Sequence, residues 1–577
     1  MSRPHALLAA LVVAAPGCSG PGLPPVELAD AGPRPDLGGA DPAAPLFDPA
    51  HIVEVDIRLP AADWDALRLQ ARTVHDIFSN CLKGPFADPF TYFRGAVTID
   101  GQPLTDVAVR KKGFLGSLDP NRPSLKLKFD EYAAGRRFAG LKTFTLNNSR
   151  QDPSFLHQCL AYRTFAAAGV PASRCNFAHV RVNGADLGLY VHVESGSQDF
   201  LARHFVDPDG NLYEGTLSDF RDGWTATFEL KTNERANDRR DLAPVVAALQ
   251  APDGELLARL EPVVDVDRFL TFWAVESLIG HWDGYAGDTN NFYAYHNPST
   301  GKFEFMPWGT DATFANRPGP GGQGGPTSVL AVSLLARRLY LHPPTRDRYL
   351  ARLRELLARH WDEAGIRGEI DRMERLITPL ADPRGDAGLA ARIQAVRAFV
   401  AGRRGAIEAE LAKGPPVWSA PLRNAPCFVP IGSLSGSLQT TWGTVGNQDP
   451  LRTGSGTLAG TLHGAPLQVL RVGSVAGVDP KAAPPAPAQL AVVAQLGDGT
   501  AGVVAFSMSP ARFRPNTTLP VDLSTVNGAV YRQNPATMKL EPVGIFSQGT
   551  LRLVQAGVTP GAPVSATFSG TIVKQPF

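Results

Sequence analysis

The sequence predicts an α+β chain of several domains: a β-rich front, a helical middle built on one buried helix, and a separate all-β, sandwich-like unit at the C-terminus. Three observations predict it. Residues 124–129 (SLKLKF) alternate strictly between apolar and polar, and two further alternating runs flank Asn183-Gly184. Residues 268–279 (RFLTFWAVESLI) are apolar nearly all round, which places that helix in a core. Beyond Pro415-Pro416 the helical pattern gives way to short strand–turn–strand units that continue to the end. At 577 residues the chain is too long for one ordinary core.

Composition excludes several classes. Hydrophobic residues make up 44% and charged residues 19%, with 57 glycines and 50 prolines, rich in breakers but short of wholesale disorder. This is no collagen, disulfide-dense miniprotein or polytopic membrane protein. A net charge of +1 gives no global field for nucleic acid, so none is expected as a partner.

The first eighteen residues read as an export signal. Arg3 and the α-amino group precede a ten-residue apolar run, ALLAALVVAA at 6–15, too short to span a bilayer. Ala15-Pro16-Gly17-Cys18 then resembles a lipobox, in which Cys18 would be acylated and anchor the chain to a membrane at the cell envelope. Pro16 departs from that pattern, and a plain secretory signal is the other reading. Residues 19–47, rich in Pro, Gly, Ala and Asp without periodicity, suit a linker. Four cysteines remain, an even number in a compartment where disulfides persist. Cys159 and Cys175 are the expected pair, worth roughly 3 kcal/mol by loop closure; the alternative is four separate buried thiols. Without CxxC or HExxH, no zinc site is expected.

Residues 48–412 form the next unit. Strands at 96–100 and 107–110 flank a Gly101-Gln102 turn, and a glycine-bearing loop over 113–123 leads to the alternating strand, which puts Leu125, Leu127 and Phe129 on one face and Lys126 and Lys128 on the other. Asp152 as cap and Pro153 in the first turn predict a helix over 153–168, ended by Gly169 and Pro171. Asn183-Gly184 is the turn of a hairpin. From 241 to 280 the chain reads helical, and amphipathic helices run from about 328 to 412. The all-β unit occupies 420–577, with no chemistry legible in it.

The chemistry concentrates in residues 280–314. A buried helix delivers a polar loop with Asp283, Asp288, Asn290 and Asn291; a strand, a tight turn and a second strand follow, and Asp311 lies just beyond. That order can bring three oxygen ligands to one point. Phosphoryl transfer needs a carboxylate to orient the attacking hydroxyl and an Asn plus an Asp to hold divalent metal on the phosphates. Upstream, Arg110 and Lys112 share a strand face before Gly113, and Lys126 and Lys128 project from the next strand, a set able to neutralise a polyphosphate.

Five segments in order, Arg110-Lys-Lys-Gly113, Pro123 to Asp130, Leu146-Asn-Asn148 with Asp152-Pro-Ser154, Asn183-Gly184 through Gly188-Leu-Tyr190 to Glu194, and Asp283 through Asn291 to Pro307-Trp308, resemble the CotH kinase family of spore-coat and surface proteins over roughly residues 50–410. The resemblance implies an atypical bilobal protein-kinase-like domain that binds ATP with Mg²⁺ or Mn²⁺ and phosphorylates serines of secreted or coat proteins. By position, Asp283 would be the catalytic aspartate, Asn291 and Asp311 metal ligands, and Lys126 or Lys128 the phosphate-neutralising lysine. Asp288 is a candidate second ligand or a turn residue. Many relatives carry an Asp directly after Pro-Trp; here Gly309 stands there, and the metal role falls to Asp311. No glutamate on the helix at 153–168 can pair the lysine, so Glu194 is the candidate for that role or for an adenine contact.

Gly319-Pro-Gly-Gly-Gln-Gly324 matches GxGxxG only literally, and Asp207-Pro-Asp-Gly-Asn211 reads as turn chemistry rather than a calcium loop. Three functions fit the sequence: an exported kinase acting on Ser/Thr of an envelope or secreted protein, a catalytically silent surface lipoprotein that keeps the fold as a structural or adhesive module, and, with less support, phosphoryl or nucleotidyl transfer to a polysaccharide.

Overall fold

The computed structural model describes residues 41–574 apart from 236–237, 316–324, 382–387, 447–448, 480, 483–485 and 524. The leader, Cys18 and the literal GxGxxG therefore lie outside the described residues. No helix among the described residues is long and apolar enough to cross a membrane.

The front of the chain is a closed seven-stranded barrel: β1 (Ile52–Arg58), β2 (Phe93–Ile99), β3 (Gln102–Lys112), β4 (Ser124–Lys128), β5 (Thr143–Asn147), β6 (Cys175–Val182) and β7 (Ala185–Val193), in the order β1-β2-β3-β4-β5-β7-β6. Closure comes from parallel pairing of β1 with β6; the other pairs are antiparallel. Alternation puts Val53, Val55, Val107, Val109, Leu125, Leu127 and Phe144 in one apolar interior. Residues 41–47, expected in the linker, instead pack on this barrel: Ala43 and Leu46 are buried, and Asn176 Nδ2 donates to the Leu46 carbonyl at 3.1 Å. Helices α1 (Ala61–Leu69) and α2 (Val74–Ser79) lie between β1 and β2, and α3 (His157–Ala167) follows β5. The start of α3 corrects the expected 153: Asp152 takes the backbone N–H of Ser154 at 3.0 Å and of His157 at 2.7 Å, so a tight turn with Phe155 at φ +66° precedes the helix.

The middle follows as α4 (Gln198–His204), β8 (Asn211–Gly215), β9 (Glu229–Leu230), α5 (Ala243–Gln250), α6 (Leu256–Leu260), α7 (Val266–Leu278), α8 (Tyr285–Asp288), β10 (Phe292–Asn297), β11 (Lys302–Pro307) and four helices, α9 (Leu334–Leu341), α10 (Pro343–Arg359), α11 (Glu363–Ile377) and α12 (Leu389–Leu411). The strands form one sheet, β11-β10-β8-β9. Helix α7 is buried along almost its whole length, as its apolar circumference requires: Phe269, Phe272 and Trp273 pack with Phe305, Tyr285 and Tyr349. Asp265 caps its start by accepting from Arg268 N at 3.0 Å, and Arg403 of α12 donates to the otherwise orphaned Leu278 carbonyl at 2.8 Å. That fixes where α7 ends and the polar loop begins.

The C-terminal strands are β12 (Val429–Thr444), β13 (Ser455–Leu462), β14 (Ala465–Pro466), β15 (Val469–Val478), β16 (Ala488–Leu496), β17 (Ala501–Met508), β18 (Thr517–Val521), β19 (Asn527–Gln533), β20 (Leu540–Ala556) and β21 (Pro563–Lys574). The expected sandwich is corrected here. All ten belong to one sheet, and β21 pairs with both β12 and β20, so the sheet curls back to its first strand around a core of Leu438, Leu490, Val492, Phe506, Phe546 and Phe568. Alternation in sequence separates inner from outer residues but does not say which strand edges meet. Two disulfides are formed, Cys159–Cys175 and Cys81–Cys427, the second across 346 residues.

Candidate active site

A cleft of about 450 Å³ lies between the barrel and the middle unit. Its barrel wall is basic. On the antiparallel pair β3–β4, Arg110 stands opposite Lys126, and with Lys112 they point away from the barrel interior into the cleft. Lys111, one residue out of phase, turns the other way and donates to the Arg68 and Gln70 carbonyls at 2.7 Å. Lys112 Nζ donates to Asn147 Oδ1 at 2.6 Å and lies 5.6 Å from the Trp308 ring centre. Burial pushes the Lys112 ammonium down to about 8; burial, with the nearby Lys231 and Arg110 charges, pushes Lys126 down to about 7. Arg110 is ion-paired with Asp88. The loop over 113–117 arches over this wall: Gly113 sits at φ +125°, where a side chain would also meet Ser117, and Ser117 Oγ accepts from Phe114 N at 3.1 Å.

The opposite wall is acidic, and its loop is held from beneath by α7. Glu276, fully buried, accepts the backbone N–H of Tyr285 at 2.8 Å and of Ala286 at 2.9 Å, pinning the first turn of α8. Burial pushes its carboxyl up to about 8 against those two donors. Thr289 and Asn291 then adopt left-handed backbone, φ +55° and +50°, which turns the Asn290 and Asn291 side chains back toward Asp283. Asn290 Nδ2 donates to Asp283 Oδ1 at 3.0 Å, and Asn291 Nδ2 to Asp283 Oδ2 at 2.9 Å. Burial, opposed by these bonds and by Arg423, pushes Asp283 up to about 6; burial, with the Asp283 charge, pushes Asp311 up to about 7. The Asp311 carbonyl is tied to α3, accepting from His157 Nδ1 at 2.8 Å. Gly309 explains itself: at φ +51°, a Cβ there would run into the Asn291 carboxamide oxygen, which occupies that space.

The structure gathers Asp283, Asn291, Asp311, Asp288, Arg110, Lys112, Gly113 and Lys126 around this one cleft. Two expected residues stand elsewhere. Lys128 is two residues beyond Lys126 and clears the cleft edge, pairing with Glu131 at 2.7 Å with a third of its side chain exposed. Glu194, just past the end of β7, is ion-paired with Arg174 at 2.8 Å and with Arg203 and does not itself line the cleft. The carboxylate beside the lysines is Glu214 of β8: it pairs with Lys231 at 3.0 Å and accepts from Trp308 Nε1 at 3.1 Å. Although burial opposes it, Lys231 holds Glu214 below the ordinary carboxylate range. Asp288 is ion-paired with Arg423, so its side chain supports the loop. Sequence reasoning missed Glu214, Lys231, Glu276 and Arg423; only burial of a charge in an otherwise apolar helix could have singled out one of them, Glu276.

Among the described residues no three His, Cys, Asp or Glu side chains converge on a metal position. The donors available are two carboxylates, Asp283 and Asp311, and the carboxamide oxygen of Asn291. Hard oxygen donors few in number suit Mg²⁺ or Mn²⁺, which keep waters and phosphate oxygens as their other ligands, so the residues fit such an ion.

The model of the family described as CotH kinase protein matches residues 109–397, half of the chain, spanning both walls of the cleft. The chain belongs to the CotH kinase family. Its sequence is 27% identical over 192 residues to inner spore coat protein H of Bacillus subtilis, covering 31% of this chain and 52% of that protein. It is 26% identical over 188 residues to invasin CotH2 of Rhizopus delemar, covering 30% and 32%, and 25% identical to invasin CotH3 of the same organism over an equal length. The chain thus spans about half the length, or less, of the curated CotH relatives it matches.

Proposed function

We propose that this CotH-family protein is an exported kinase that transfers the γ-phosphoryl group of ATP to a Ser or Thr hydroxyl of an envelope or secreted protein. The observation that carries the reading is the facing of Asp283, fixed by Asn290 and Asn291, against Lys112 and Lys126 across one cleft. In this reading the barrel is the smaller lobe of a bilobal kinase-like domain. Lys112, Lys126 and the loop over 113–117 bind the polyphosphate, and Asp283 orients the acceptor hydroxyl. As the oxygen–phosphorus bond forms and the β–γ bridge breaks to release ADP, Asp283 takes the hydroxyl proton. A carboxyl at about 6 is ionised at neutral pH and still basic enough to accept it. Mg²⁺ or Mn²⁺, held by Asn291 and Asp311, would supply charge neutralisation on the phosphates. Export is supported by the apolar leader and by the two disulfides, which persist outside reducing compartments.

The test is mass-resolved phosphorylation of the chain and of serine-rich acceptor proteins with ATP and either metal, beside Asp283→Ala and Asp311→Ala. Incorporation lost in both variants supports the kinase. No incorporation, together with no nucleotide-induced rise in melting temperature, replaces it with the adhesive or structural reading.

A further inference from the structure

The arm over residues 415–428, which joins α12 to β12, is anchored to the helical unit along its first part and reaches the cleft at Arg423. Tyr340 Oη donates to the Pro416 carbonyl at 2.6 Å, Trp418 packs on the helical core, and Arg337 donates to the Ala420 carbonyl. Arg423 N donates to the Val332 carbonyl at 3.0 Å, and Arg221 Nη2 to the Arg423 carbonyl at 2.8 Å. Arg221 in turn pairs with Asp219 at 3.0 Å, whose carboxylate accepts from Tyr285 Oη in α8 at 3.0 Å. The Arg423 side chain, 8% exposed, enters the cleft and pairs with Asp288 at the end of α8. Four residues on, Cys427 is bonded to Cys81, beside α2 on the barrel side, and Phe428 N donates to the Phe78 carbonyl at 2.9 Å.

We infer that this arm is part of the active site: Arg423 is a positioning residue that holds the Asp283–Asn291 loop through Asp288, and the Cys81–Cys427 disulfide keeps the arm seated. Arg423, Cys81 and Cys427 all lie outside the family-matched residues 109–397. The device therefore belongs to the way this chain attaches its C-terminal sheet, and it makes the sheet's tether a working part of the cleft. The arm touches both walls, Asp288 on one and the α2 segment on the other. Reduction of the bond would leave the α2 side held by Phe428 on Phe78.

The inference rests on the kinase reading, and the experiment separates the two. In the full chain, Arg423→Gln is expected to lower kcat about tenfold while KM for ATP stays within about threefold, and Arg423→Lys to recover most of the loss. Asp288→Asn should behave like Arg423→Gln, and the double variant should be no worse than the poorer single, because the two act as one unit. Cys81→Ser/Cys427→Ser should lose kcat several-fold and no longer respond to dithiothreitol, which lowers wild-type kcat by a similar factor. Wild-type kcat in Arg423→Gln, a rise in KM alone, or additive losses in the double variant would overturn the inference while leaving the kinase intact. If the wild type transfers no phosphate, the kinase reading fails, and hydrogen exchange over 283–291 decides about the arm. Faster exchange in Arg423→Gln and in the Cys81/Cys427 variant, but not in Cys159→Ser/Cys175→Ser, supports it; unchanged exchange overturns it.

Discussion

The barrel of residues 52–193 and the sheet of residues 429–574 are written in the same alternating pattern. In β4 buried Leu125 and Leu127 alternate with Lys126 and Lys128; in β16 buried Leu490, Val492 and Ala494 alternate with Gln489, Ala491, Val493 and Gln495. Each closes around its own apolar core. They differ in what covers the outer face. The barrel's outer residues Arg110, Lys112 and Lys126 are roofed by β8, the 282–291 loop and Trp308, so their charges lose water; the two lysine ammonium groups shift toward neutrality, while Tyr92 and Asp88 hold Arg110 charged. The outer residues of β16 and of its neighbour β17 (Ala501, Val503, Ala505, Ser507) carry no charge. Alternation builds both walls; chemistry arises only where a second unit desolvates the outer row.

The largest expected effect tests that opposition at its acidic end. Asp283→Asn keeps the shape of the side chain but removes the proton acceptor, and phosphoryl transfer should fall about 10³-fold in a chain that still folds. A variant that retained even a tenth of wild-type kcat would place the base elsewhere.

How far this site could be read in the sequence follows from the range of the interactions. Local pattern was enough for the β3–β4 face, for the Asn183-Gly184 hairpin and for α7, because period and turn residues act over a few positions. It was also enough to expect Asp283, Asn291 and Asp311 near one point, as their common place in the cleft reflects one loop and one hairpin. It could not choose between Lys126 and Lys128, since both lie on the same face and only the roof over the first distinguishes them. Nor could it find Glu214 with Lys231, or Arg423 with Asp288, pairs made by packing across 17 and 135 residues. The Cys81–Cys427 bond is the extreme case.

Next in size is a change in the other sheet. Leu490→Ala, at a fully buried position of β16, should cost about 3 kcal/mol in the unfolding of the C-terminal unit. Transfer by the cleft should change less than about twofold, provided the arm remains seated. A large loss of activity would mean that the two units are one cooperative body rather than two joined by a strap.

Within the barrel the comparison sharpens to two neighbouring lysines. Lys126→Met should lower kcat/KM for ATP about 30-fold, because it removes a desolvated charge from the polyphosphate position. Lys128→Met should stay within about twofold, its exposed pair with Glu131 being worth little. Equal effects would mean that the shared strand face, rather than burial under β8 and Trp308, decides which lysine meets the phosphates.

The smallest effect is a pH dependence of metal stabilisation. Asp283 and Asp311 are raised by burial to about 6 and about 7, above the value of about 4 they have in an unfolded chain. The sign follows directly: the folded state holds protons that the unfolded state has lost, so ionising these groups destabilises the fold as pH rises from about 4 through 7. Near pH 6 Asp311 is mostly protonated and must release its proton before it can ligate. Near pH 8 both carboxylates are charged and repel, and Mg²⁺ offsets that repulsion. The Mg²⁺-induced rise in melting temperature should therefore be a few degrees larger at about pH 8 than at about pH 6. Asp311→Asn should remove the difference and raise the metal-free melting temperature at the higher pH alone. Equal Mg²⁺ shifts at both pH values would mean that Asp311 does not ligate the ion beside Asp283, and the acidic wall would then act on the acceptor without one.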